Sequence, residues 1–349
     1  MSRTYQVVKF KTIDGLWLRG RIYPAAQRGP AVILNPGYNG VVVNFAPGVP
    51  EEFQKAGVTA FIYDPRNTGR SGGFPRNDID PFKQAEDYSD AFTFLSQQPI
   101  VNAEQIVYFG ISLSAGIALA AAAIDRRAAA VIAVAPVFEF TPITPADAQR
   151  LKFKLMKDRE SQVNHGTPPY ILPILESVAF LPFNSHISIT DEERRKEEDE
   201  YHRHLADCWK EEDSEQVAYD PTLTHNAYGT SLQSYHRMFL WESIPLAMIK
   251  QISPMPLFML TPELDQISPM ARQTEVFDSL QGPKRQMIAP GREHLYILNG
   301  PDMPTLVKWQ CDFVWQVVRG RFKSATSCET VPEKMASSVS VSEPQAVSN

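Results

Sequence analysis

Strand-like and helix-like runs alternate along most of this chain, which predicts an α/β fold: a mostly parallel, twisted sheet flanked by helices, with a helical lid inserted after strand six. Three observations carry that expectation. Short β-favouring runs recur at 31–34, 58–63, 106–109, 128–135, 255–260 and 284–288, and most are too continuously apolar to leave one face in water. Amphipathic or alanine-rich stretches fall between several of them, as crossover helices require. Between about 138 and 250 the composition changes, and no convincing strand is visible there.

The elements follow in order. Residues 4–11 and 16–23 alternate around Asp14-Gly15, a strong hairpin signal, and form the antiparallel edge of the sheet. Ala31 to Leu34 is a buried strand running into NPGYNG, where Pro36 and Gly37 forbid helix and bend the chain sharply. A helix over Val49 to Ala56 leads to the strand Val58 to Tyr63 and then to the polar loop DPRNTGRSGG. That loop lacks the lysine and glycine spacing of phosphate-binding motifs, so it shapes the pocket rim, and Arg66 is an ion-pair partner rather than a substrate clamp. Asp80-Pro81 supplies an N-cap and a first-turn proline; Ala85, Tyr88, Ala91, Phe92 and Leu95 then share one stripe.

The stretch QIVYFGISLSAGIALAAAAI organises the rest. Ile106 to Phe109 suits a doubly buried strand, Ala115 to Ile124 suits a helix packed close to a sheet, and Ser112 sits at the break between them. With Gly110 two residues before and Ser114 two after, the turn resembles the GxSxG nucleophile elbow of α/β-hydrolases. Ser114 stands where the second glycine is usual.

A nucleophilic serine needs a base and a carboxylate to orient it, and in α/β-hydrolases these follow in the order Ser, Asp/Glu, His. Six of the seven histidines, His165, His186, His202, His204, His225 and His236, lie in the insertion; His294 follows a strand and precedes the last helix. His202 and His204 are badly spaced for one helix face, which makes a metal reading poor. Asp265, in the loop after Leu260, is the leading acid; Glu263 is the near alternative and Asp64 a distant third. Both loops lie past strand ends, where catalytic groups of doubly wound sheets belong. Oxyanion donors in α/β-hydrolases are the backbone N–H after the nucleophile and one from the bent loop, here Leu113 and Tyr38.

The core then comprises 1–137 and 251–323, the helical lid 138–250, and a tail at 324–349 whose Ser, Val, Glu and Pro mixture reads as disordered. In the lid, the charge run DEERRKEEDE at 191–200 is a solvated helix face. The aromatics Phe180, Phe183, Tyr235, Phe239 and Trp241 exceed what a surface helix needs and are assigned to an apolar acyl tunnel, shared with the packing of the lid itself.

Composition bounds the function. At 349 residues and 43% hydrophobic content the chain builds a full core, and a net charge of −6 without a basic block leaves no footprint for nucleic acid or an anionic membrane. The cysteines, Cys208, Cys311 and Cys328, form neither a CxxC pair nor a metal-ligand spacing. With no signal-like N-terminus and no apolar run long enough to span a bilayer, a cytoplasmic enzyme without membrane insertion is expected.

FKTIDGLWLRGRIYP, NPGYNG, YDPRNTGRSGG, NDIDPFKQAEDYSDA, GISLSAG and the Asp265 and His294 loops together resemble the dienelactone-hydrolase-like branch of the α/β-hydrolases. They are most similar to the fungal polyketide transferases and thiohydrolases of secondary-metabolite clusters. The resemblance implies release or transfer of a polyketide acyl chain from a thioester through an acyl-serine, with the catalytic roles on Ser112, Asp265 and His294 and no metal or organic cofactor. The expected partners are a small-molecule or carrier-bound acyl substrate and a polyketide synthase carrier domain; the sequence does not decide between a monomer and a homodimer. A general carboxylesterase or lactone hydrolase is the alternative enzyme, and a non-catalytic ligand-binding protein on the same fold is the alternative class.

Overall fold

A computed structural model describes residues 4–38, 40–45, 48–139, 145–173, 229–242, 244–323 and 329–330. The hairpin is β1 (Gln6–Lys11) and β2 (Trp17–Tyr23), antiparallel with Lys11 opposite Trp17. Strand β2 pairs antiparallel with β4 (Thr59–Tyr63), and from there every pairing is parallel through β3 (Gly29–Asn35), β5 (Val101–Ile111), β6 (Ala130–Val134), β9 (Leu257–Pro262) and β10 (Lys284–Ala289). With β11 (Glu329–Thr330) at the far edge, the sheet order is β1-β2-β4-β3-β5-β6-β9-β10-β11, so the expected α/β fold with a mostly parallel sheet is what the chain adopts.

Alternation along each central strand feeds two cores. On one face Ala31, Ile33, Ile106, Tyr108, Val131, Ala133 and Met259 pack against α2 (Pro81–Ser96) and α3 (Leu113–Ile124). On the other, Val32, Leu34, Val107, Phe109, Ile132 and Phe258 meet α1 (Val49–Lys55) and α8 (Met303–Val318). Burying one such Leu, Ile or Phe side chain contributes about 1.5–3 kcal/mol, and only a sheet covered on both sides can use both parities of its residues this way. Asp80 caps α2 as expected, its carboxylate accepting from Phe82 N and Lys83 N at 3.1 and 3.2 Å.

The structure differs from the sequence reading in three places. The insertion is not wholly helical: beside α4 (Pro145–His165), α5 (Leu232–Trp241) and α6 (Ile244–Met248), the short strands β7 (Ile171–Pro173) and β8 (Gly229–Ser231) pair antiparallel. Three-residue strands carry too little alternation to announce themselves in sequence. A helix α7 (Met270–Ser279) crosses between β9 and β10, as two parallel neighbours require. Within the tail read as disordered, β11 (Glu329–Thr330) runs parallel to β10, with Glu329 opposite Met287. The charge run 191–200 and Phe180, Phe183, His186, His202, His204 and His225 lie outside the described residues.

Arg66 is an ion-pair partner, as its sequence context suggests. Its guanidinium grips Asp87 of α2 with Nε and Nη2 at 2.8 and 2.5 Å and reaches Asp14 of the hairpin turn with Nη1 at 2.8 Å. Three segments distant in sequence therefore meet at one cation. The Arg66 bond, with help from Thr12, holds the Asp14 carboxyl down at about 2. Asp14 thus stays ionised in the folded protein between pH 4 and pH 2, where the unfolded chain takes up a proton. Its contribution is complete above pH 4 and vanishes as the pH falls towards 2.

Two unfolding measurements check this account. Asp87→Ala, which leaves the buried Arg66 guanidinium with its Asp14 bond and without the two to α2, is expected to lower stability by about 3 kcal/mol in denaturant titrations. Asp14→Asn costs less at pH 6, and the gap between it and the wild type closes as the pH drops from about 4 to about 2.

Candidate active site

Ser112 occupies the turn between β5 and α3 at φ 57° and ψ −125°, a region a non-glycine residue enters only when its surroundings force it. Those surroundings are specific. Ser112 N donates to Val134 O of β6 at 2.9 Å, and Ser112 O accepts from Ala115 N and Val137 N at 3.0 and 3.2 Å. Gly110 lets the helix fold back: a Cβ there would lie 2.1 Å from Ser114 O and 2.6 Å from Ala115 Cα. From α2, the Tyr88 hydroxyl donates to Phe109 O at 2.8 Å and fixes the strand just ahead of the turn.

The loops after β9 and β10 bring the other two groups to it. His294 Nε2 lies 2.8 Å from Ser112 Oγ, and Nδ1 lies 2.8 Å from Asp265 Oδ2. His294 and Asp265 are buried, 5% and 6% exposed, so bulk water barely competes for these bonds. Asp265 is held on both oxygens: Oδ1 accepts from Ile267 N and Ser268 N at 2.9 and 2.8 Å, and Oδ2 also accepts from Gln273 Nε2 at 3.0 Å. Such an arrangement fixes the imidazole with Nδ1–H towards the carboxylate and leaves Nε2 to accept from the hydroxyl.

The alternative acids have other work. Glu263 accepts from Gly291 N at 2.7 Å, and Leu264 N donates to Arg292 O at 2.9 Å, so the two loops are tied to one another. Asp64 accepts from Val42 N and Arg70 N at 2.7 and 2.8 Å, joining the bent loop after β3 to the loop after β4. Neither points its carboxylate at His294. Burial pushes the Cys311 thiol up to about 12, which removes it as a competing nucleophile.

Gly37 passes close against the serine, since a Cβ there would stand 3.1 Å from Ser112 Cβ and 3.2 Å from Ile111 O. Tyr38 follows it, half-buried, and Leu113 opens α3, where the first N–H groups have no acceptor within the helix. Of the aromatic residues assigned to a tunnel, Tyr235 is fully buried and its hydroxyl lies 2.8 Å from that of Tyr38. Trp241 packs edge-on against Phe82 of α2, with centroids 4.9 Å apart, and Phe239 is half-buried beneath Lys152.

Sequence reasoning missed Gln273 and Ser268. Gln273 sits on the crossover helix that the sequence did not reveal; it donates to Asp265 and to Ser268 O at 2.6 Å, while Ser268 Oγ donates to Pro136 O at 2.6 Å. A polar residue on an amphipathic helix gives no signal of its own. Only its complete burial marks it.

Strand-turn-helix at Ser112, loops past the ends of β9 and β10, and this sheet order define an α/β-hydrolase architecture. The sequence model of the alpha/beta hydrolase fold matches residues 30–301, and the chain belongs to that family. It is 40% identical to a thiohydrolase of Eupenicillium brefeldianum, covering 88% of this chain and 93% of that protein. It is 37% identical to a polyketide transferase of Stachybotrys chlorohalonatus, over 90% and 98% of the two chains. Among solved structures, the α/β hydrolase GrgF of a Penicillium species is similar at 34% identity and a TM-score of 0.72, covering 90% of this chain and 99% of that one. No helix among the described residues is long and apolar enough to cross a membrane.

The turn can be tested directly. Gly110→Ala forces backbone against backbone, so Ser112 is expected to leave its position, and labelling by a fluorophosphonate should slow at least tenfold. Circular dichroism checks that the sheet survives.

Proposed function

We propose that this protein is a serine-dependent acyl hydrolase or acyltransferase that releases or transfers a polyketide acyl chain held as a thioester. The observation that carries the reading is the continuous path from Ser112 Oγ through His294 to Asp265, with both heavy-atom distances at 2.8 Å. The names of the relatives, thiohydrolase and polyketide transferase, supply the substrate class.

In this mechanism His294 Nε2 takes the proton of Ser112 as Oγ attacks the thioester carbonyl. The charge that develops on the carbonyl oxygen is met by the N–H groups of Tyr38 and Leu113. Collapse of the tetrahedral intermediate expels the thiolate, which takes the proton back from the imidazolium and leaves an acyl-serine. Water or a bound hydroxyl then attacks with His294 as base, giving acid or ester. Asp265 stays ionised throughout and stabilises the imidazolium. The loop bearing Tyr38 meets the inserted segment at Tyr235, and the acyl chain runs past Phe239 of α5, which remains partly open. Carrier-domain docking and a cytosolic location belong to the same reading.

Intact-protein mass after exposure to acyl N-acetylcysteamine thioesters tests it. The wild type is expected to gain one acyl group and Ser112→Ala none; fast turnover of acetyl esters with no preference for longer polyketide-like thioesters would turn the assignment towards a general carboxylesterase. Asp265→Asn is expected to lower kcat by several powers of ten, because its amide can no longer both accept from Nδ1–H and balance the imidazolium. A fluorophosphonate that leaves the wild-type Ser112 unlabelled would remove the enzyme altogether.

A further inference from the structure

The loop Asn35–Tyr38 has no strand partner to hold it beyond Asn35, yet it must present an N–H to within about 3 Å of a charge that exists only in the transition state. Pro36 has no N–H to anchor it, and Gly37 is there because of the close pass against Ser112. Among the described residues, the hydroxyl groups of Ser114 and Tyr235 reach this loop from other elements. From the first turn of α3, the Ser114 hydroxyl donates to Pro36 O and lies 3.0 Å from Asn35 Oδ1. From the cap, the Tyr235 hydroxyl meets the Tyr38 hydroxyl at 2.8 Å.

Neither group is loosely placed. Ser114 is 3% exposed and belongs to the same turn as Ser112, so its position relative to that serine is fixed by helix geometry. Tyr235 is fully buried on α5, and α5 is bolted to the core segment 77–80. Ser231 N donates to Asn77 O at 2.8 Å, Ile79 N donates to Ser234 Oγ at 2.7 Å, the Ser231 hydroxyl donates to Asp78, and Arg237 Nη1 donates to Asp78 Oδ1 at 2.8 Å. The phenol of Tyr235 is therefore fixed to the body of the protein at both sides of its position in the helix.

We propose that Ser114 and Tyr235 are positioning residues for the oxyanion site: one holds the start of the loop at the Pro36 carbonyl, the other its end at the Tyr38 hydroxyl. The N–H of Tyr38 lies between these two anchors. Serine at position 114 is then a functional replacement for the usual glycine, since glycine offers no donor to Pro36, and Tyr235 acts on the reaction from the cap without touching the substrate. This assignment rests on the reading of Tyr38 N–H as an oxyanion donor.

Ser114→Ala and Tyr235→Phe each remove one oxygen and keep the remaining volume. With an acyl N-acetylcysteamine thioester that the wild type turns over, kcat and KM are measured separately. Binding of an alkyl trifluoromethyl ketone is measured alongside. Ser112 Oγ adds to the ketone carbon, its proton passes to His294, and the carbonyl electron pair becomes an alkoxide in the oxyanion site. Each variant is expected to lose about tenfold in kcat, a fraction of the 10²–10³ that follows complete loss of one donor, with KM nearly unchanged and ketone affinity falling in parallel. A rise in KM alone would make Tyr235 a substrate contact, and a lowered melting temperature with kcat and ketone affinity intact would make both residues structural; either result overturns the proposal. If the wild type itself binds the ketone no better than Ser112→Ala does, the oxyanion reading fails instead. Should one variant not fold, the other carries the test.

Discussion

The backbone at Ser112 is held where a side chain-bearing residue resists going, and the rest of the site is arranged around that constraint. A left-handed φ of 57° with ψ −125° costs on the order of 1–3 kcal/mol. The cost is met by three main-chain hydrogen bonds, to the end of β6, the loop after it and the first turn of α3, and by the absence of a side chain at Gly110. The reward is geometric. A hydroxyl on an ordinary strand would point into one of the two cores, whereas at this turn it stands beyond the C-terminal end of central strand β5, where the loops after β9 and β10 can reach it.

Those loops are rigid for the same kind of reason. Asp265 has four hydrogen-bond donors around its two oxygens, two from backbone and two from His294 and Gln273, so its carboxylate has little rotational freedom left. Glu263 and the Leu264–Arg292 backbone bond keep the His294 loop in register with the Asp265 loop. Two successive 2.8 Å hydrogen bonds survive thermal motion only if their three side chains share such a frame. Remote ion pairs extend it outward: Arg66 joins the hairpin, the loop after β4 and α2, and α2 in turn carries Tyr88, which steadies the strand leading to Ser112.

The inserted segment joins this frame through the mounting of α5 on residues 77–80. Serine hydroxyls and an arginine do the mounting, all against groups that are themselves buried or half-buried. Polar mounting of this sort specifies direction more than it adds stability, because each bond replaces one to water and contributes about 1 kcal/mol or less. It fixes which face of α5 meets the loop bearing Tyr38.

Much of this was legible without coordinates, and the pattern of what was not has a physical cause. The sheet strands, the cap of α2 at Asp80, the break at Ser112 and the place of His294 in a loop after a strand are local properties: parity of apolar residues, turn chemistry, and position along the chain. The two-residue β11, the three-residue β7 and β8, and the crossover helix α7 escaped because short or weakly patterned elements form only when a larger surface receives them. Asp265 and Glu263 lie two residues apart in one loop, and nothing local tells which faces the imidazole. Gln273, Ser114 and Tyr235 likewise hydrogen-bond to partners 8, 78 and 197 residues away. The sequence by itself therefore determined the class of fold, the strained turn and the residue types able to pass a proton, since these depend on neighbours along the chain. Only the tertiary structure decided which carboxylate meets His294, which buried amide meets that carboxylate and which hydroxyls meet the loop after β3, because hydrogen bonds are directional over less than 3.5 Å and long-range packing sets those directions.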